Sequence, residues 1–76
     1  MTELERLKGL YASYIRFGLE NNVGYNYAKL GNDIFHKYCE NLVDNSNYID
    51  KTAMKQELEL LKETLSKEIE AYYQRS

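Results

Sequence analysis

The side chains best suited to metal or acid–base chemistry lie around His36, the single histidine of the chain. Asp33, His36 and Glu40 are three and four residues apart, which places them on one face of a helix. The pattern lacks the second histidine or cysteine expected of a zinc or iron site, and Lys29 and Lys37 lie close by. It therefore favours a solvated face of ion pairs over a metal site.

Catalytic machinery is not visible elsewhere in the sequence. There is one histidine, no pair of acids flanked by apolar residues and no glycine-rich phosphate loop. Gly24 and Gly31 do not form a phosphate-binding motif. Cys39 lies beside an apolar stripe, which favours a small buried hydrophobe over a reactive or intersubunit thiol. We expect a protein that is not an enzyme and has no cofactor.

A third candidate group consists of acids in the last third of the chain, namely Glu57, Glu59, Glu63, Glu68 and Glu70. Five acids against two bases, Lys62 and Lys67, give this segment a net charge of −3, whereas the whole chain carries −2. Carboxylates one helical turn apart lie ~5–6 Å from each other, near the spacing of phosphates along a nucleic-acid strand. We therefore predict that this acidic face binds a partner; an ordinary solvated face is the alternative.

Three helices would position these residues, and their predicted ranges are 3–22, 26–44 and 51–74. The chain has 76 residues, no proline and four glycines, which leaves little room for a turn-rich β architecture. We predict a single all-α domain over residues 1–76, a small helical bundle in which short loops make neighbouring helices antiparallel.

Capping residues mark where the helices begin and end. Thr2, followed by Glu5 three residues later, predicts a capping box at the start of the first helix. Asn26 and Asp50 are the predicted N-caps of the second and third helices. Gly24 could adopt the left-handed conformation that follows the last turn of the first helix.

Apolar residues at helical spacing predict which face of each helix is buried. On the first helix the stripe is Leu4, Leu7, Tyr11, Tyr14 and Gly18, widened by Leu10, Ile15 and Phe17. On the second it is Tyr27, Leu30, Ile34, Tyr38 and Leu42, widened by Ala28, Gly31, Phe35 and Cys39. On the third it is Met54, Leu58, Leu61, Leu65, Ile69 and Tyr72.

The third helix is long for so small a domain. At ~1.5 Å per residue it spans ~36 Å, against a radius of gyration of ~11 Å for a compact globule of this length. It therefore runs the full length of the domain or projects into a partner. We expect a homodimer, with Tyr72, Tyr73, Gly9 and Ser13 as dimer or partner contacts. Close helix crossing inside one chain is the alternative explanation for the glycines.

Composition limits the kind of partner and compartment. Twelve acids against ten bases argue against direct binding of nucleic acid. The single Cys39 excludes an intramolecular disulfide. No signal-peptide pattern and no run of ~18 apolar residues is present, so we expect a cytoplasmic protein without membrane association.

In size, all-helical pattern and acid-bearing last helix (Glu57, Glu59, Glu63, Glu68 and Glu70), the chain resembles small phage-encoded inhibitors of host DNA replication. It looks most like the helical type that dimerises and blocks the DNA channel of the bacterial sliding clamp. The composition, rich in Lys, Asn, Tyr, Glu and Ile, is typical of a low-GC bacterium or its phage. The resemblance implies an inhibitor in the bacterial cytoplasm that binds a host protein, one that encircles or binds DNA, by competitive occlusion.

Two other functions remain open. A nucleic-acid-binding regulator would read a groove with Lys29, His36 and Lys37 of the second helix, although Asp33 and Glu40 interrupt that face. A structural assembly subunit would instead contribute its helices to a larger bundle.

Overall fold

The computed structural model describes residues 2–74, and these form three helices in the predicted order. Helix α1 spans Glu3–Glu20, α2 spans Tyr25–Asp44 and α3 spans Lys51–Tyr73. The predicted all-α bundle is confirmed, and its helix ends agree with the prediction to within two residues. The predicted domain also includes residues 1, 75 and 76, which lie outside the described residues.

Side-chain caps fix the starts of α1 and α3. The Thr2 hydroxyl accepts a hydrogen bond from the backbone N–H of Glu5 at 3.1 Å. The Asp50 carboxylate accepts a hydrogen bond from the backbone N–H of Ala53 at 3.3 Å. Both predicted caps are therefore confirmed. The prediction of Asn26 as the N-cap of α2 is wrong, because α2 already begins at Tyr25.

Backbone hydrogen bonds build the turn between α1 and α2. The N–H of Val23 donates to the Gly18 carbonyl at 3.2 Å, and the N–H of Asn22 donates to Leu19 at 3.0 Å. This pair of bonds is the Schellman arrangement that closes a helix. Asn22, with φ of 54°, takes the left-handed conformation that was predicted for Gly24. Gly24 has φ of 100° and instead occupies the N-cap position of α2.

The core lies along the line where the three helices meet. Its buried apolar members are Tyr11, Ala12, Ile15, Leu19, Ala28, Cys39, Val43, Leu58, Leu65 and Ile69. Around them pack the partly buried side chains Leu4, Leu7, Tyr25, Phe35, Met54, Leu61 and Tyr73. The predicted stripe of α3 therefore points inward, apart from Tyr72 at its end.

Helix α2 turns a different face to the core from the one that the apolar stripe predicted. The main members of the stripe are exposed, up to 73% for Tyr27, whereas Ala28 and Cys39, which widened it, are buried as predicted. The inward positions are Ala28, Asn32, His36, Cys39 and Val43. Small and polar side chains thus face the neighbouring helices, and α2 carries apolar residues on two opposite sides. Leu10, Tyr14 and Phe17 of α1 are likewise exposed rather than buried.

Helix α3 runs along the bundle. Its 23 residues span ~35 Å at the usual helical rise, and the bundle measures 44 × 18 × 17 Å. The helix therefore extends along most of the 44 Å long axis of the bundle, and its contact with a partner stays a prediction. Across residues 2–74, none of the three helices has the combination of length and apolar character needed to cross a membrane.

Candidate functional site

Two of the predicted partner-binding glutamates form ion pairs with α1. Glu57 lies 2.8 Å from the ammonium of Lys8. Glu68 accepts two hydrogen bonds from the guanidinium of Arg16, at 3.0 and 2.8 Å. These bonds lower the pKa of the Glu68 carboxyl below its usual value and raise the pKa of Arg16. Both carboxylates therefore help to hold α3 against α1.

The other three glutamates lie on the edge of α3 that faces α2. Glu59 approaches His36 to 3.1 Å, and Glu70 accepts a hydrogen bond from the Tyr25 hydroxyl. Glu63 is exposed. The five acids are thus divided between two edges of the helix, and four of them have partners within the bundle. They do not form one continuous row of free carboxylates.

His36 is buried between α2 and α3, with 5% of its surface exposed, so the prediction of a solvated face is wrong at this residue. Its Nε2 lies 3.1 Å from Glu59, and its Nδ1 lies 3.8 Å from Glu40. The distance from Nε2 to Glu59 is that of a hydrogen bond, but the angle at the contact is unsuitable for one. This nitrogen therefore has no hydrogen-bond partner among the described residues. Within residues 2–74 no three His, Cys, Asp or Glu side chains are arranged to hold a metal ion.

A polar network crosses the core and was missed at the sequence level. The Tyr11 hydroxyl donates to Asn32, whose backbone carbonyl lies 3.0 Å away and whose side-chain oxygen also contacts it. The Asn32 amide donates in turn to the Lys62 carbonyl at 3.1 Å. Burial is the main cause that raises the pKa of Tyr11 well above its usual value. The network ties the three helices together and fixes the rotation of α2, with Asn32 pointing inward.

Cys39 is fully buried, which confirms the prediction of a small buried hydrophobe. Burial raises the pKa of its thiol to about 11. A thiol in this state is protonated at neutral pH and is a poor nucleophile.

The four residues predicted as dimer or partner contacts lie in different settings. Gly9 and Ser13 are on the exposed side of α1, where a Cβ added to Gly9 would meet nothing within 4 Å. Tyr72 is also exposed. Tyr73 is partly buried, and its hydroxyl accepts a hydrogen bond from the N–H of Gly24. Gly9, Ser13 and Tyr72 are therefore accessible, whereas Tyr73 belongs to the packing of the bundle.

An extended apolar surface lies on the outside of α1 and α2. We call it the outer apolar face, and its members are Leu10, Tyr14, Phe17, Tyr27, Leu30, Ile34, Tyr38 and Leu42, each between 42% and 73% exposed. The partly buried Phe35 connects its two halves, because its ring centroid lies 5.1 Å from that of Tyr14 and 5.7 Å from that of Tyr38. With aromatic side chains of ~150–250 Å² about half exposed, the face presents on the order of 800 Å². The largest apolar patch of a typical monomer is ~300–600 Å².

A groove of about 520 Å³ indents one end of the outer apolar face. Tyr14, Phe17 and Val23 line it on the side of α1, and Tyr27 and Gly31 line it on the side of α2. Gly31 contributes to the opening because a Cβ there would stand 3.7 Å from the Tyr14 ring, in space that the groove now occupies. The groove is apolar and could receive a large side chain of another molecule.

The chemistry of these surfaces is that of binding. Inside the bundle Tyr11 and Asn32 satisfy each other, whereas His36 Nε2 keeps no hydrogen-bond partner among the described residues. The outer apolar face has no cover within the described chain. Comparisons with protein-family models, with curated proteins and with solved structures found no match to this chain.

Proposed function

We propose that this protein is a non-enzymatic binding protein whose outer apolar face docks against the surface of another protein chain. The observation that carries the proposal is the exposure of that face, and of Tyr27, Ile34 and Tyr38 in particular. A helix with apolar residues on opposite sides is typical of one enclosed in a larger assembly. Tyrosine and phenylalanine are enriched at protein interfaces, where their rings supply large and rigid contact areas.

The magnitude of the hydrophobic effect supports docking. Removal of ~800 Å² of apolar surface from water contributes about 20 kcal/mol at ~25 cal/mol/Å². Association costs about 4–15 kcal/mol in lost translational and rotational freedom, with further losses in side-chain entropy. Burial of the face therefore favours docking, and the net affinity depends on how closely the partner fits.

The outer apolar face is better supported as the docking surface than the acids of α3. Glu57 and Glu68 are already paired with Lys8 and Arg16 at 2.8 Å. A partner that used these carboxylates would have to break intramolecular contacts between α1 and α3. The apolar side chains, by contrast, would exchange only water for the partner.

The resemblance to small phage-encoded inhibitors adds a more specific proposal. In it, the protein inhibits a host sliding clamp by filling the clamp's DNA channel. Its support is the edge of α3 that carries Glu59, Glu63 and Glu70, of which Glu59 and Glu63 are exposed. Binding to a basic channel through this edge should weaken strongly with added salt. A Glu63→Lys variant that still inhibits clamp loading, or an affinity unchanged between low and high salt, would contradict this electrostatic version.

A photo-crosslinking experiment tests the docking proposal directly. A benzophenone amino acid replaces Tyr38 on the outer apolar face, and in a matched control it replaces Lys67 on the exposed side of α3. Irradiation of cells that produce either variant is followed by mass spectrometry of the products. We expect an abundant crosslinked protein with the Tyr38 position and little with the Lys67 position. Equal yields at the two positions would contradict docking through this face.

A further inference from the structure

We infer that the occupant of the outer apolar face is a second copy of this chain, with the two α2 helices antiparallel across a two-fold axis beside Ile34. The inference rests on the proposed function, since it names the partner for the same face. It differs from the sequence-level expectation, which placed the dimer contacts at Gly9, Ser13, Tyr72 and Tyr73.

The spacing of apolar residues along α2 is nearly symmetric about Ile34. Tyr27 and Leu30 lie seven and four residues before it, and Tyr38 and Leu42 lie four and eight residues after it. In a two-fold antiparallel pair, a residue before the axis meets the residue equally far after it on the other chain. Leu30 therefore meets Tyr38 of the partner subunit, and Tyr27 lies near the partner's Leu42. Ile34 meets Ile34 of the partner subunit. The helical spacing therefore allows this stripe to pair with the same stripe of a second copy.

The shapes along this pairing also match. Gly31, three residues before Ile34, opens the groove of about 520 Å³ between α1 and α2. The partner's Tyr38 arrives opposite Leu30 and Gly31, so a large aromatic ring meets a position without a side chain. The two-fold axis repeats this contact, and each copy fills the groove of the other.

Charged side chains lie beside the proposed contact rather than within it. The eight residues of the outer apolar face are uncharged. Beside them, along one rim of α2, lie Asp33 and Lys37, both exposed. Asp33 already lies 3.5 Å from Lys62 of its own chain. In the antiparallel pair the partner's Lys37 and the partner's Asp33 lie equally near to it along the helix axis, so the rim charges neither favour nor oppose this arrangement.

The area is also that of a stable dimer. Each chain presents on the order of 800 Å², which equals the surface that one partner buries in a standard specific interface. Two-fold pairing brings the same face of both copies into the contact.

Sedimentation equilibrium between about 1 and 100 µM tests the inference, with the wild type compared to Ile34→Asp and Leu60→Asp. The two sites are matched, because Ile34 is 60% and Leu60 is 61% exposed, and Leu60 lies on α3 outside the outer apolar face. We expect a mass of twice 9.0 kDa for the wild type and for Leu60→Asp. Ile34→Asp should weaken dimerisation at least ~100-fold, because each dimer would bury two uncompensated carboxylates. Circular dichroism establishes that both variants remain helical.

Cysteine crosslinking tests the geometry, with Cys39 unreactive in its buried position. Ile34→Cys should form a disulfide dimer under mild oxidation, and Leu42→Cys should not, since the two copies of residue 42 lie at opposite ends of an antiparallel contact. Efficient crosslinking at both positions would indicate parallel helices and overturn the arrangement. A wild type that is monomeric up to 100 µM, or a dimer that survives Ile34→Asp, would overturn the inference itself. If the dimer inference fails, a crosslink from position 38 to a different protein would still support the proposed docking function. If position 38 forms no crosslink at all, both the dimer inference and the proposed function are wrong.

Discussion

The Tyr73 hydroxyl accepts a hydrogen bond from the backbone N–H of Gly24 at 2.9 Å, which joins the last turn of α3 to the turn between α1 and α2. The Tyr73 ring also packs edge-on against Tyr25, with 6.1 Å between centroids. The neighbouring Tyr72 is 41% exposed. Two adjacent tyrosines at the end of one helix therefore have different roles, one in the packing of the bundle and one at its surface.

Tyr73→Phe should lower the free energy of unfolding by about 1 kcal/mol, because the partly buried N–H of Gly24 loses its acceptor. Tyr72→Phe is the matched control and should change this free energy by less than ~0.5 kcal/mol, as is usual for surface substitutions. Urea unfolding followed by circular dichroism measures both. Equal effects of the two substitutions would contradict the role assigned to Tyr73.

The Arg16–Glu68 pair should contribute to stability in a pH-dependent way. Since the hydrogen bond from Arg16 lowers the pKa of Glu68 in the folded chain, the contribution is present above the unfolded pKa of about 4.5 and is lost as the pH falls through the lower folded value. Both side chains are partly exposed, so we expect a coupling of ~0.5–1 kcal/mol at pH 7. A double-mutant cycle with Arg16→Gln and Glu68→Gln, measured by urea unfolding at pH 7 and pH 3, should give this coupling at pH 7 and almost none at pH 3.

Cys39 should be unreactive in the native protein. With a pKa of about 11 and no exposed surface, its thiol is almost fully protonated at pH 8 and out of reach of reagents. Ellman's reagent should therefore modify it at least ~1000-fold more slowly than free cysteine, through transient opening of the bundle. Full modification within seconds in 8 M urea is the control. Rapid modification without urea would show that the thiol is accessible.

Gly9→Ala should stabilise the chain by about 0.5–1 kcal/mol. Gly9 lies within α1, a Cβ there meets nothing within 4 Å, and alanine loses less conformational freedom than glycine in a helix. Thermal unfolding measures the gain, and sedimentation measures the oligomeric state. Gly9 and Ser13 are predicted dimer contacts. An unchanged oligomeric state would exclude the close approach of a second chain at Gly9. A weaker association would support that approach.

Local signals along the chain were sufficient for the three helices. The Thr2 and Asp50 caps begin α1 and α3 at the predicted residues, because capping depends on side chains within three residues of the helix start. The rotation of α2 depends instead on a contact between Tyr11 and Asn32, which are 21 residues apart. Periodicity ranks a face by its apolar content. It therefore favoured the side with Ile34, although the hydrogen-bonded Asn32 holds the opposite side against the core.

The pairing of the acids was beyond sequence reasoning for the same reason. Glu57 and Glu68 are recognisable as acidic positions, but their partners Lys8 and Arg16 lie 49 and 52 residues away in sequence. A helical pattern shows on which edge of α3 a carboxylate lies. It does not show which helix that edge will meet, so a paired glutamate and a free one look alike.

Because α3 follows α1 and α2 in the chain, it leaves the ribosome after both of them, and it brings the fully buried Leu58, Leu65 and Ile69. Until then the nascent hairpin of α1 and α2 has its inner side uncovered as well as its outer one. Such a chain is prone to bind chaperones or other nascent chains during synthesis. The inner side is covered when α3 has emerged and packed against the hairpin, with Tyr73 bonded to Gly24. The outer apolar face is then the remaining apolar surface through which the chain can associate.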